Sequence, residues 1–303
     1  MPCYAPNNGH YKNGKFIFGF PFNKKNVEEM VQIPCGQCMG CRVQRSLDWG
    51  IRCANEIQMH DTACFITLTY APEFLPDDGN LVKKDLQKFI KRLRKAVGTI
   101  RYYACGEYGD KTDRPHYHAL IFGYDFPDKE YFFESTGYGG VKNKVYRSAM
   151  LEKLWPQGIS SIGEANFTTA CYISRYITKK RLGKGALDYY VDTETGEILK
   201  EPEFTTMSLK PGIGASWYET FSSDVFPSDE LIHQGNRFKV PRYYMTLLER
   251  SNPELYLEVK KARKERMQEF REEAFNKGLD YWKQLVAGET IAQAKQLLKM
   301  GSL

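Results

Sequence analysis

A chain of 303 residues is long for one compact domain and short for two full-sized ones. Its 42% hydrophobic and 26% charged residues exclude a disordered or fibrous protein, and a net charge of +6 marks nucleic acid only weakly. The longest apolar runs fall far short of the ~18 residues that cross a bilayer, and Met1-Pro2-Cys3-Tyr4-Ala5 is no secretory signal, so a cytosolic protein with no membrane partner is expected.

Residues 1 to 34 read as an irregular arm with turns at Asn7-Asn8-Gly9 and Asn13-Gly14. Cys35, Cys38 and Cys41 then form C-x2-C-x2-C interleaved with Gly36 and Gly40, a spacing that suits a metal-binding knuckle. A reducing compartment argues against disulfides among the eight cysteines, and a tetrahedral structural Zn²⁺ needs a fourth ligand. Cys3, His10, Cys53 and Cys64 are the candidates, and free buried thiols are the alternative to a zinc site. The bacterial iron–sulfur pattern continues with x2-C-x3-C-P, which is not found after Cys41.

From about Arg42 to His60, Val43, Leu47, Ile51, Ala54 and Ile57 mark one helix. Cys64 to Tyr70 is a strand, and a loop with Pro72, Pro76 and Gly79 leads into a basic helix. There Lys83 to Lys95 holds seven Lys/Arg against the single acid Asp85, with Leu86, Phe89, Ile90, Leu93 and Val97 as its apolar stripe. Lys88, Lys91, Arg92 and Lys95 are candidate DNA-phosphate contacts, although a basic helix face is more often merely solvated.

Ile100 to Glu107 is strand-like, Tyr108 to Pro115 is polar and turn-rich, and the run after Pro115 up to Gly123 is a further strand. Alternation places His116 and His118, two of the five histidines, on one face. In a simple hairpin Glu107 stands opposite His116, about 5 Å away at Cβ. Such a mixed N/O set suits Mg²⁺ or Mn²⁺ for phosphate chemistry, and Zn²⁺ also fits. A register slip of one residue would turn Glu107 away.

Residues 124 to 157 form an aromatic insertion that interleaves Tyr131, Phe132, Phe133, Tyr138 and Tyr146 with Lys142, Lys144 and Arg147. Aromatic faces beside cations can stack splayed single-stranded bases, or simply pack on one another. Gly158 to Phe167 is another strand, followed by a helix whose stripe is Ala170, Ile173 and Ile177 and which Gly183 and Gly185 end. Tyr172 and Tyr176 lie one helical turn apart, with Lys179 and Lys180 three and four residues further on. A phenol becomes a useful nucleophile when a metal makes the phosphodiester more electrophilic and a lysine stabilises the phenolate. The tyrosyl ester keeps the energy of the broken bond, so the DNA can be rejoined.

Beyond Lys180 the chain to Pro227 is turn-rich, with short strands expected around Tyr189-Tyr190-Val191 and Phe204–Met207. Ser251-Asn252-Pro253 starts a long exposed helix to Asn276, and Leu285 to Met300 gives a last one. The element order implies an α+β fold, a central antiparallel sheet with flanking helices. Three regions are expected: 1–61, an arm with cysteine knuckle and helix packed on the core; 62–220, the catalytic domain; and 221–303, helical.

Phe65-Ile66-Thr67-Leu68-Thr69-Tyr70, His116-Tyr117-His118 and Tyr172-x-x-x-Tyr176-x-x-Lys179 resemble, in order, the three motifs of the HUH rolling-circle replication endonucleases. The finer resemblance is to microvirus replication initiators of the gokushovirus type, supported by Pro34 to Arg42, Cys105 to Gly109 and Pro211 to Gly214. It covers roughly residues 1 to 220. The resemblance implies His116 and His118 as metal ligands with Glu107 as third, Tyr172 and Tyr176 as paired nucleophiles, and Lys179 as the motif lysine, with Lys180 equally well placed. Position 117, hydrophobic in that family, is Tyr here. Cys3 lies in a second short motif of the family, which favours it as fourth zinc ligand while His10, Cys53 and Cys64 stay open.

The implied fold has the metal on the sheet and the tyrosine helix facing it. The implied activity is metal-assisted nicking of single-stranded origin DNA, giving a 5′-phosphotyrosine and a free 3′-hydroxyl, then religation to circles. The setting would be the bacterial host cytoplasm, with host helicase and polymerase as partners. A rival class is a non-catalytic, zinc-containing DNA-binding accessory protein for replication or packaging, which leaves the tyrosine pair without a role. A phosphoesterase with two H-x-T/S motifs is disfavoured, because His60-Asp61-Thr62 has no second copy.

Overall fold

The structure, a computed structural model, describes residues 3–21, 27–109, 112–136, 142–179, 190–192, 194–276, 278 and 280–300. It divides into two compact units, Met1–Arg45 with Lys260–Leu303, and Ser46–Val259. The divisions expected from sequence fall after residues 61 and 220.

The N-terminal arm is not irregular. Strands β1 (Asn7–Lys12), β2 (Lys15–Phe18) and β3 (Val27–Ile33) form an antiparallel sheet in the order β2-β1-β3. Asn13 and Gly14, at φ 52° and 69°, supply the pair of positive φ angles that a tight hairpin turn needs. Asn7-Asn8-Gly9, expected as a turn, begins β1 instead. Gly9 leaves room for the Phe16 ring, which a Cβ there would meet at 2.3 Å. Helix α1 (Met39–Gln58) follows.

The larger unit is built on seven antiparallel strands. These are β4 (Ala63–Tyr70), β5 (Arg101–Tyr108), β6 (Pro115–Phe122), β7 (Glu130–Thr136), β8 (Lys142–Arg147), β9 (Gly158–Glu164) and β10 (Phe204–Met207). Their order is β10-β5-β6-β4-β9-β8-β7. The chain between them adds helices α2 (Lys83–Val97), α3 (Ala149–Leu154) and α4 (Phe167–Lys179).

Period-two alternation gives this sheet two different faces. On one, Leu86, Phe89, Ile90 and Leu93 of α2 pack with Ile66, Leu68, Ala119, Ile121 and Trp155. Each of the Leu, Ile and Phe side chains among these, fully buried, contributes about 1.5–3 kcal/mol. Tyr117 points to this face, and its hydroxyl accepts from Val82 N (2.9 Å) and donates to Val82 O (3.0 Å). Val82, at the start of α2, has no side chain of its own to cap the helix. The phenol at position 117 therefore does work that an aliphatic residue could not.

On the other face, Cys53 of α1 and Ala170 and Ile173 of α4 cover Tyr103, Cys105, Leu120 and Phe122. The two helices approach closely where α1 has Gly50, since a Cβ there would lie 2.4 Å from Cys171 Sγ. Buried Glu56 ties α1 to the sheet and to the Pro211–Gly214 stretch, accepting from Arg101 Nε (2.5 Å) and Gly214 N (2.7 Å). His60 also leans on Glu56 (3.1 Å), which makes it a structural histidine.

The stretch after Gly214 is more ordered than its sequence suggests. Helix α5 (Ala215–Val225), the hairpin β11 (Glu230–His233) with β12 (Asn236–Lys239), and helix α6 (Arg242–Ser251) gather Trp217, Tyr218, Leu231, Tyr244 and Leu248 into a further core. Helix α7 (Pro253–Asn276) starts as expected, with Asn252 Oδ1 accepting from Leu255 N (3.1 Å). Helix α8 (Tyr281–Met300) starts earlier than expected because Asp280 Oδ1 caps Trp282 N (2.9 Å). No described helix is long and apolar enough to cross a membrane.

Candidate active site

Strands β5 and β6 pair with Glu107 opposite His116 and Cys105 opposite His118, while Thr67 of β4 stands across from His118. All these side chains point to the α4 face. His118 is only 6% exposed and Glu107 4%, so both are buried at the floor of that face.

His118 is held by neighbours on three strands. Its Nε2 lies 2.8 Å from Glu107 Oε1 and its Nδ1 lies 3.0 Å from Thr67 Oγ1. Phe65 stacks parallel to it at 5.6 Å, and the His116 ring lies parallel at 6.5 Å. A hydroxyl both donates and accepts, so Thr67 supports either tautomer of His118. The Glu107 carboxylate only accepts, so the 2.8 Å contact puts a proton on Nε2, and Thr67 Oγ1 satisfies Nδ1.

His116 Nδ1 lies 2.6 Å from the Arg114 carbonyl and donates to it, which leaves the basic lone pair on Nε2. Metal-binding histidines are commonly oriented in this way. Gly109 makes the room, because a Cβ there would sit 3.1 Å from His116 Cε1. Burial holds His116 below the ordinary histidine pKa of 6.5, which favours the neutral, ligating form.

Helix α4 brings the phenol to this floor. Asn166 Oδ1 accepts from Thr169 N (2.9 Å) and starts the helix, while buried Ala170 and Ile173 fix its rotation. Tyr172 is left 41% exposed on the flank, and its ring meets His118 edge-on with centroids 5.3 Å apart. The side chains of Tyr176 and Lys179, and the whole of Lys180, lie outside the described residues.

The donor set of two imidazoles and a carboxylate fits a divalent cation in type and face, and the His118 Nε2 proton would leave as the cation enters. Among the described residues, however, only Cys3, Cys35, Cys38 and Cys41 have all their ligand atoms within 4.8 Å of one another. Glu107 and His118 touch, whereas His116 stands further along the strand.

The basic candidates fall elsewhere. Lys88, Lys91 and Lys95 are exposed on α2, which packs on the opposite sheet face, and Arg92 Nε donates to the Leu154 carbonyl (2.8 Å). Lys142, Lys144 and Arg147 lie on β8, where Lys142 pairs with Glu134 (2.9 Å) and Arg147 with Glu152 (2.7 Å). Sequence alone gives Thr67 and Phe65 no individual role. Alternation along β4 puts them on one face, but only the β4–β6 register shows that this face is the histidine face.

The family model for replication-associated protein ORF2/G2P matches residues 63–181. The chain is 33% identical over 275 residues to replication-associated protein ORF2 of Spiroplasma virus 4, covering 85% of this chain and 80% of that protein. It is 30% identical over 272 residues to replication-associated protein VP4 of Bdellovibrio phage phiMH2K, again with 85% and 80% covered. Replication-associated protein ORF4 of Chlamydia phage 1 is 29% identical over 223 residues, which are 71% of this chain and 53% of that protein. No solved structure matches.

Proposed function

Since the chain belongs to the microvirus-type phage replication-associated proteins, we propose that it initiates replication by nicking single-stranded origin DNA through a tyrosine ester and then rejoins the ends into circles. The observation that carries this reading is the edge contact of Tyr172 with His118, whose imidazole is bonded to Glu107. It puts a partly exposed phenol beside a set of metal-type ligands.

A phenol with an ordinary pKa of about 10 attacks poorly at neutral pH. Mg²⁺ or Mn²⁺ held by His116, His118 and Glu107 would supply the Lewis acidity that makes a phosphodiester more reactive. The Tyr172 oxygen then attacks phosphorus, the bond to the 3′-oxygen breaks, and the phenolic proton is lost as the leaving 3′-oxygen gains one. The 5′-phosphate stays on tyrosine, and the released 3′-hydroxyl serves the host polymerase. Tyr176 repeats the step on the regenerated origin, Lys179 or Lys180 stabilises the phenolate, and the free 3′-hydroxyl closes the circle. The exposed aromatics Tyr131, Phe132 and Phe133 on β7, with the Arg147 guanidinium over Phe132 at 5.2 Å, suit stacking of splayed bases.

The test is incubation with origin single strand and Mn²⁺, followed by denaturing electrophoresis. A covalent protein–DNA adduct is expected, and Tyr172→Phe with Tyr176→Phe should abolish it. An adduct surviving that double change refutes the assignment. DNA binding without nicking under any divalent cation would favour a non-catalytic accessory role.

A further inference from the structure

We propose that Cys3, Cys35, Cys38 and Cys41 bind a structural Zn²⁺ that stands in for a hydrophobic core in the smaller compact unit. The four sulfurs lie within 4.8 Å of one another, and none is in a disulfide. Cys38 Sγ and Cys3 Sγ are 3.8 Å apart. A tetrahedron with zinc–sulfur bonds of about 2.3 Å has edges of about 3.8 Å.

The main chain around the quartet is arranged for thiolates. Cys35 N donates to Cys3 Sγ (3.2 Å) and Tyr4 N to Cys38 Sγ (3.3 Å). Gln37 N (3.4 Å) and Cys38 N (3.2 Å) both donate to Cys35 Sγ. A neutral thiol is a weak acceptor, whereas a thiolate makes charge-assisted bonds. Gly36, at φ 76°, provides the turn that aims two of these amides at one sulfur. Helix α1 begins at Met39, so its positive end lies at the site, and the Arg45 guanidinium lies beside Gly36. Thiolates packed this closely repel one another unless a cation sits among them.

The unit has little else to hold it. The three hydrophobic clusters of the described residues all fall within the larger unit. In the smaller one the buried apolar side chains among the described residues are Tyr4 and Leu285. Tyr4, next to Cys3, lies against Gly288 of α8, where a Cβ would be 3.1 Å from its ring. Zinc would thus pin the N-terminal residues to the Cys35–Cys41 turn and, through Tyr4, to the C-terminal helix. Small units without a core commonly depend on such a metal. The other candidate ligands are engaged elsewhere: His10 Nδ1 with the Gly19 carbonyl (3.1 Å), Cys64 and Cys53 in separate cores.

This inference does not depend on the nicking reading, and its test is spectroscopic. The full chain, purified reduced, should hold one zinc by mass spectrometry of the metal. Exchange for Co²⁺ should give the visible absorption of a tetrahedral cobalt thiolate. Cys3→Ser should weaken Co²⁺ binding at least about tenfold, and Cys53→Ala should leave it unchanged. A chelator should open α8 to proteolysis while the larger unit stays resistant. Absence of stoichiometric metal after exposure to excess Zn²⁺, four thiols reacting equally fast with and without chelator, or iron as the native metal would each overturn the proposal.

Discussion

The ring of Tyr172 meets the ring of His118 at 86° with centroids 5.3 Å apart, so the exposed flank of α4 and the buried histidine strand share one site. The roles proposed for the two tyrosines can be tested one at a time. Tyr172→Phe keeps the ring contact and removes only the hydroxyl. With either tyrosine replaced, one ester still forms, and peptide mapping should find it on the remaining tyrosine. Neither single variant should yield closed circles, which need both. Circles from a single variant at the unmodified rate would show that the pair does not act in turn.

Thr67 is predicted to govern metal affinity without touching metal. Its hydroxyl sits 3.0 Å from His118 Nδ1, and Thr67→Val keeps the shape while removing the bond. The Mn²⁺ concentration for half-maximal nicking should rise roughly 10–100-fold, as for other outer partners of metal ligands. The maximal rate at saturating Mn²⁺ should change little. An unaltered Mn²⁺ dependence would remove Thr67 from the site.

Burial keeps His116 and His233 neutral, pushing both below the ordinary 6.5. The unfolded chain therefore takes up protons more readily than the folded one as pH falls through about 6.5. Stability from these groups is complete above that value and declines below it. The urea midpoint should be lower at pH 5 than at pH 7.5. His233 lies between Phe167 at 5.0 Å and Phe238 at 6.5 Å, so His233→Phe should fit and flatten the slope. An unchanged slope in that variant would mean that His233 is not a contributor.

The histidine hairpin is legible in the sequence because one polar turn joins two strands whose alternation leaves a single sensible register. A simple hairpin puts Glu107 against His116, and the β5–β6 register has that pair. Helix α2 is legible for a similar reason, since Leu86, Phe89, Ile90 and Leu93 recur at helical spacing. Other features depend on long-range pairing that one sequence does not carry. Thr67 reaches His118 only because β4 pairs with β6 across some fifty residues. That the basic side of α2 lies on the sheet face away from His118 is likewise set by the sheet and not by the helix sequence. The α5–α6 region is hidden by short elements and many turn residues, although Gln234 and Gly235, at φ 49° and 74°, do supply a hairpin signal.

The β7–β8 hairpin should contribute to binding of single strands. Phe132 and Phe133 are exposed, so replacing them by Ala leaves the cores intact. Each lost stacking partner should weaken single-stranded DNA binding by about 1–3 kcal/mol, measured by fluorescence anisotropy at fixed salt. If affinity is unaffected, these rings pack only on their neighbours and the bases run elsewhere.

Gly50 offers a test that joins packing to catalysis. Its missing Cβ lets α1 approach α4, and a methyl there would meet Cys171 Sγ at 2.4 Å and Phe167 at 3.3 Å. Cys171 precedes Tyr172, so any outward shift of α4 moves the phenol proposed as nucleophile. Gly50→Ala should cost about 1–3 kcal/mol of stability, as overpacking usually does. It should also slow adduct formation while leaving the Mn²⁺ dependence alone, because the histidine strand is untouched. Cys171→Ala removes the clashing sulfur, so the double variant should recover most of both losses, a coupling expected only of residues in contact. Additive losses would mean that the approach of these helices does not set the position of Tyr172.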